Sequence, residues 1–116
     1  MPKPDNLQGA LELLILKVLR RGPSHRYAIA SAIQQMSNDV LRVEAGSLYP
    51  AVHRMTAARL LKSQWRRSEV GRRARFYELT AKGRRRLEAD ETKWRTVSLA
   101  VAKVLNTARS GLRDST

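Results

Sequence analysis

Between Ser47 and Arg54 the chain places a hydroxyl, a phenol, an imidazole and a guanidinium within eight residues, with no acid among them. At helical spacing Ser47, Tyr49, Pro50, His53, Arg54 and Ala57 share one side, opposite Leu48, Ala51, Val52 and Met55. Hydroxyl and imidazole groups trade hydrogen bonds with polar edges, and a guanidinium fork matches paired acceptors or a phosphate. A second set follows at Arg72 and Arg73, beside Gly71 and flanked by Arg66, Arg67 and Arg75. Solvated turns favour Gly, Asn, Asp and Ser, so paired arginines at a turn point to an anion. Tyr49 is open to two readings, a phosphate or thymine-methyl contact or a half-buried packing ring. His53 is likewise a base or phosphate partner or a solvated imidazole.

Catalysis finds no comparable set. The histidines are His25 and His53, and neither has a ligand partner four residues on. There is no cysteine, which removes disulfides, zinc fingers and thiol nucleophiles together. The glycines are scattered, so no phosphate-cradling loop forms. Asp90 and Glu91 are adjacent on a helix and do not face each other. No enzyme activity, metal or cofactor is expected.

Charge narrows the partner. The net charge is +13, and residues 62–86 alone carry ten Lys/Arg against two Asp/Glu, a net +8. A focused cationic region attracts a polyanion by releasing its condensed counterions. With 42% apolar residues the chain folds and is not a disordered basic tail. The longest apolar run, Leu13 to Leu16, is too short to span a bilayer, and the first residues lack a signal-peptide pattern. The basic segment is not an amphipathic helix, so no membrane partner is expected, and a cytoplasmic location is.

The elements that must hold these residues can be laid out in order. A first helix runs from about Leu7 to Arg20, with Asp5 or Asn6 as its cap and Gly22-Pro23 as its stop. Leu13 and Leu16 widen its apolar surface beyond one stripe. A second helix begins after Ser24 as cap and ends near Asn38. Val40 to Val43 reads as a short extended piece. A third helix runs from about Ser47 to Arg59, with Pro50 in its first turn, where no intrahelical bond is lost. Two strands follow, with Leu61, Ser63 and Trp65 alternating against Lys62, Gln64 and Arg66, then Arg75, Tyr77 and Leu79 against Phe76 and Glu78. Most aromatic rings fall on expected core faces.

The last helix is expected from Thr80 to Asn106. Leu87, Trp94 and Val101 recur every seven residues, beside Val97, Val104 and Leu105. No domain surface remains to cover that stripe, so a second copy of the chain is its simplest partner and these six residues the expected dimer interface. Lys82, Arg84, Arg85 and Arg86 oppose the helix dipole at its start, either as a phosphate track or as a solvated face.

Helices two and three make a helix-turn-helix, with helix three entering a major groove and the hairpin as a wing. The expected fold is mainly α with a small β part (α+β): a winged helix-turn-helix DNA-binding domain over 1–79, a dimerisation helix over 80–106 and an irregular tail over 107–116. The expected function is sequence-specific binding of double-stranded DNA as a homodimer. A low-specificity basic nucleic-acid-binding protein, of nucleoid or RNA-binding type, is the alternative. A winged helix serving protein interaction fits the focused charge least well.

Several short motifs in sequence resemble the PadR family of bacterial transcriptional regulators. They are Leu7-Gln8-Gly9-Ala10-Leu11-Glu12-Leu13-Leu14-Ile15-Leu16, Gly22-Pro23 with Tyr27, Gly46-Ser47-Leu48-Tyr49-Pro50-Ala51-Val52, and Arg73 to Thr80 with Gly83. The resemblance implies a winged helix, dimerisation through the C-terminal helix and usually repression. It implies DNA contacts at Ser47, Tyr49, Pro50, His53 and Arg54, with wing contacts at Arg72 and Arg73. It also admits a small flat aromatic effector at the dimer interface, where Trp94 lies on the appropriate helix. The single C-terminal helix is similar to the shorter subgroup. Two departures stand out: Arg26 where glycine is common, and Thr56-Ala57-Ala58-Arg59 where acids and a glycine are usual.

Overall fold

In a computed structural model the backbone is described for residues 4–67 and 69–114, and side chains for 9–67 and 69–107. The order is α1 (Pro4–Leu19), α2 (Arg26–Met36), α3 (Ala45–Ala57), β1 (Leu61–Arg67), β2 (Arg73–Leu79) and α4 (Ala81–Asp114). The fold is therefore mainly helical, with one antiparallel two-stranded sheet. Leu61 pairs with Leu79 at its base and Arg67 with Arg73 at its tip.

One core joins these elements. Ile15, Leu16 and Leu19 of α1, Ile29 and Ile33 of α2, and Leu48, Val52 and Met55 of α3 are all buried. Leu61, Tyr77 and Leu79 close it from the base of the hairpin, and Leu87 closes it from α4. Each such aliphatic side chain contributes about 1.5–3 kcal/mol through burial. Leu16 belongs to this core, so the broad apolar surface of α1 is largely consumed within the chain.

Several boundaries differ from the sequence reading, each for a local reason. Helix α1 starts at Pro4, so Asp5 and Asn6 lie inside its first turn and do not precede it. The cap of α2 is His25, whose Nδ1 accepts from the Ala28 N–H at 3.2 Å. Ser24 is occupied elsewhere, exchanging both backbone hydrogen bonds with Tyr77 on the outer edge of β2. With that edge taken, residues 41–44 have no strand to join and are irregular. The chain turns out of α2 through Asn38 and Asp39, both at positive φ. Strand β2 begins at Arg73, two residues earlier than the alternation suggests, because Arg66 and Arg67 remain in register with Ala74 and Arg73. The backbone of α4 is helical to Asp114, past the expected end at Asn106 and through most of the expected tail.

The join between α3, β1 and α4 is tight. The Thr80 hydroxyl accepts from the Gly83 N–H at 3.0 Å and donates to the Arg59 carbonyl at 2.6 Å. Gly83 rests directly on the Leu60 carbonyl, and a β-carbon there would lie 2.1 Å from that oxygen. Farther along α4, Glu91 accepts from Lys17 of α1 at 3.0 Å and from Arg95. Arg95 and then Lys17 hold the Glu91 carboxyl below the usual carboxylate range. Beyond Glu91 the helix leaves the domain, and the molecule extends over 64 × 27 × 24 Å.

Gly83→Ala forces either α4 or the Leu60 backbone to move, as overpacking does. The expected loss is about 1–3 kcal/mol in urea unfolding. An unchanged midpoint would show that the contact is not a constraint.

Candidate nucleic-acid interface

The apolar stripe of α3 fixes what the helix shows to solvent. Leu48, Ala51, Val52 and Met55 face inward at 0–1% exposure. Gly46, Pro50, His53 and Ala57 then run along the centre of the outer face, and all are exposed. Tyr49, 51% exposed, sits on the edge toward α2. Ser47 and Arg54 sit on the opposite edge, and there Arg54 Nη2 lies 3.5 Å from Glu12 Oε2 of α1.

The Tyr49 edge is built from stacked rings and guanidinium groups. The Tyr49 and His53 rings stack with centroids 6.0 Å apart. Arg26, at the start of α2, covers Tyr49 at 5.1 Å. Across from them, the wing presents the face that carries Trp65, Arg73 and Arg75. Trp65 is paired in register with Arg75, and its ring lies 5.9 Å from the Arg75 guanidinium and 5.4 Å from that of Arg73. A guanidinium over a ring face is oriented by the ring and keeps N–H donors for other partners. Arg75 gives one of its own, Nε–H, to the Ser63 hydroxyl at 3.0 Å.

These parts enclose a groove of about 330 Å³ between α2, α3 and the wing. His25, Arg26, Tyr27, Tyr49, Trp65, Arg73, Ala74, Arg75 and Tyr77 line it, and none of them carries a carboxylate. Arg72 lies outside this groove, in a wider hollow that Tyr27 also lines, with Glu69, Val70 and Phe76. At the wing tip Gly71 adopts φ 81, a conformation that favours glycine, and its carbonyl accepts from Arg67 at 3.3 Å.

The wing corrects the reading of the rings. Trp65 is 56% exposed because only the base of the hairpin reaches the core. Tyr27, Tyr49 and Trp94 are exposed as well, and Tyr77 is the ring that is buried. Rings on a basic surface are therefore present, but Tyr49, Trp65 and Phe76 are each covered by an arginine.

Helix α4 divides in two. Leu87 is 2% exposed and belongs to its own domain's core, so it is unavailable to a second copy. The first turns of α4 pack on α1, and that packing encloses it. Trp94, Val97, Val101, Val104 and Leu105 are 42–67% exposed, and Leu99 joins them at 65%. Of the cations that open the helix, Lys82 donates to the Ala58 carbonyl at 3.0 Å and Arg86 pairs with Asp90 at 2.7 Å. Arg84 and Arg85 are left exposed.

Comparison with known proteins agrees with this architecture. The profile of the transcriptional regulator PadR-like family matches residues 15–89, from the core of α1 through the wing to the start of α4. The chain belongs to the PadR-like family. A PadR-like transcriptional regulator from Bacillus cereus superposes with a TM-score of 0.74 at 28% identity, covering 87% of this chain and 96% of that one. A PadR family regulator from Eggerthella lenta gives 0.70 at 30% identity, covering 85% of each. A 37.1 kDa protein in transposon TN4556 of Streptomyces fradiae is 40% identical over 79 residues, which are 68% of this chain but 21% of that relative. As a PadR-like chain it is a DNA-binding transcriptional regulator with a winged helix-turn-helix fold, and not an enzyme. Among the described residues no helix is long and apolar enough to cross a membrane.

Both departures from the PadR pattern acquire a structural meaning. Arg26 supplies the cation that covers Tyr49. Arg59, two residues past the end of α3, has φ 63, the left-handed conformation in which glycine is usual. Arg26 and Trp65 line the groove and were not among the expected contacts, nor were His25, Tyr27 and Arg75. The glycine-to-arginine departure was the available signal for the first, and strand register with Arg75 the signal for the second.

Proposed function

We propose that this PadR-like chain is a sequence-specific repressor that binds a near-palindromic duplex operator as a homodimer in the cytoplasm. The observation that carries this reading is the carboxylate-free groove joining the Tyr49 edge of α3 to the inner face of the wing. Helix α3 enters the major groove, where Ser47, Tyr49, Pro50 and His53 meet base edges and the adjoining sugar-phosphate. Arg54, at the far edge, reads a guanine. One DNA strand follows the line of Arg26, Arg73 and Arg75, and Arg72 grips it beyond the wing tip. Rings already covered by guanidinium groups are poor platforms for unpaired bases, which favours duplex over single-stranded partners.

The dimer follows from α4. Trp94, Val97, Val101, Val104 and Leu105 form a stripe that α4 carries away from its own domain, and a symmetric second copy buries it without leaving an edge. Two recognition helices related by a two-fold axis call for half-sites about 10 bp apart or a multiple of that. Occupancy of such a site blocks transcription from it. The half-exposed Trp94 ring in the seam offers a stacking surface for a flat aromatic effector whose binding changes the spacing of the two domains.

Two measurements test this reading. Arg72→Ala, Arg73→Ala and Arg26→Ala should each weaken all duplexes alike and reduce the salt slope of binding by about 1. A loss confined to one sequence would move that residue from phosphate to base recognition. Trp94→Asp with Val101→Asp should sediment as a monomer and bind the selected operator at the level of random DNA. A dimer that persists in this variant would place the seam elsewhere.

A further inference from the structure

The edge of α3 that carries Arg54 is shared with an acid. Glu12, on α1, has a side chain only 15% exposed. One of its oxygens lies 3.5 Å from Arg54 Nη2 and the other 4.0 Å from Arg86 Nη2 of α4. Arg54 keeps 43% of its side-chain surface open to solvent. These are ion-pair separations at a partly open surface, where such pairs add little to stability. A carboxylate beside a DNA-facing helix also repels phosphate, so it works against affinity. Its geometry suits another task. An arginine on a long stem reads paired acceptors well only if its fork is already aimed, and a carboxylate at its back aims it.

We propose that Glu12 is a positioning residue for Arg54, holding its guanidinium at the edge of α3 in the orientation that reads a base. Arg86 of α4, whose close partner is Asp90 at 2.7 Å, also reaches this carboxylate at 4.0 Å, so α4 adds a longer-range contact to the same acid. This rests on the assignment of Arg54 as a base contact above. Glu12 then raises discrimination between sequences while lowering the grip on any one of them.

The test uses the full chain, a duplex that it enriches from a random pool, and a random duplex. Glu12→Gln should bind the random duplex more tightly, with a salt slope steeper by about 1. The ratio of selected to random affinity should fall about fivefold or more, within what one bidentate base contact supplies. Glu12→Asp keeps the charge but shortens the reach, so its ratio should fall with the slope unchanged. In an Arg54→Ala background neither change should alter the ratio further, the mark of a coupled pair. The unfolding midpoints of both variants should stay near the parent's. If both affinities rise by the same factor, Glu12 acts only as a charge and the assignment is overturned. A ratio that still falls in the Arg54→Ala background also overturns it, since the effect would not pass through Arg54. A parent that enriches no sequence overturns the regulatory reading itself. A parent that enriches one, with a ratio that falls for Arg54→Ala but holds for Glu12→Gln and Glu12→Asp, overturns the Glu12 assignment alone.

Discussion

Burial of Leu48, Ala51, Val52 and Met55 sets the rotation of α3, and every contact the helix can make outside the domain depends on that rotation. A helix has one angular freedom about its axis, and four fully enclosed side chains remove it. Pro50 and His53 must then face outward, with Tyr49 toward α2 and Arg54 toward α1. The two edges meet different neighbours, an arginine on one side and a carboxylate on the other. A single packing stripe thus produces an asymmetric surface from a symmetric rod.

The wing is placed by a comparably small set of contacts. Leu61, Tyr77 and Leu79 root it in the core, and the Ser24 bridge takes up the outer edge of β2. Above that root Phe76 still meets the His25 ring edge-on at 5.3 Å, but Trp65, Arg72, Arg73 and Arg75 are exposed and can meet a partner. Arginine and aromatic groups there organise one another. The rings hold guanidinium groups in place by stacking, and the guanidinium groups keep the rings from packing elsewhere. A polyanion meets donors that are already oriented, which lowers the entropic cost of binding.

Most of this was legible in the sequence wherever periodicity and burial coincide. The apolar stripes of α1 to α3, the Gly22-Pro23 stop and the Gly71 turn carry local signals strong enough to order the elements. What escaped was set by contacts between distant segments. Ser24 looks like a helix cap, but Tyr77 claims it for a β-bridge, and His25 caps instead. Leu87 shares a heptad with Trp94 and Val101, yet α1 covers it and leaves them exposed. Trp65 alternates as a core residue should, but the strand outruns the core before reaching it. In each case pattern gave the right face or period, and tertiary reach decided whether anything lay there to pack against.

On the proposed reading duplex DNA lies along the outer face of α3 and the inner face of the wing. Amide chemical-shift mapping during titration with a selected duplex addresses it residue by residue. The expected result is that perturbations concentrate at Arg26 and Tyr27, at residues 46–54, and at Trp65 and residues 72–75, while the interior positions of α1 stay still. Perturbations centred instead on the exposed stripe of α4, with α3 and the wing unchanged, would contradict it.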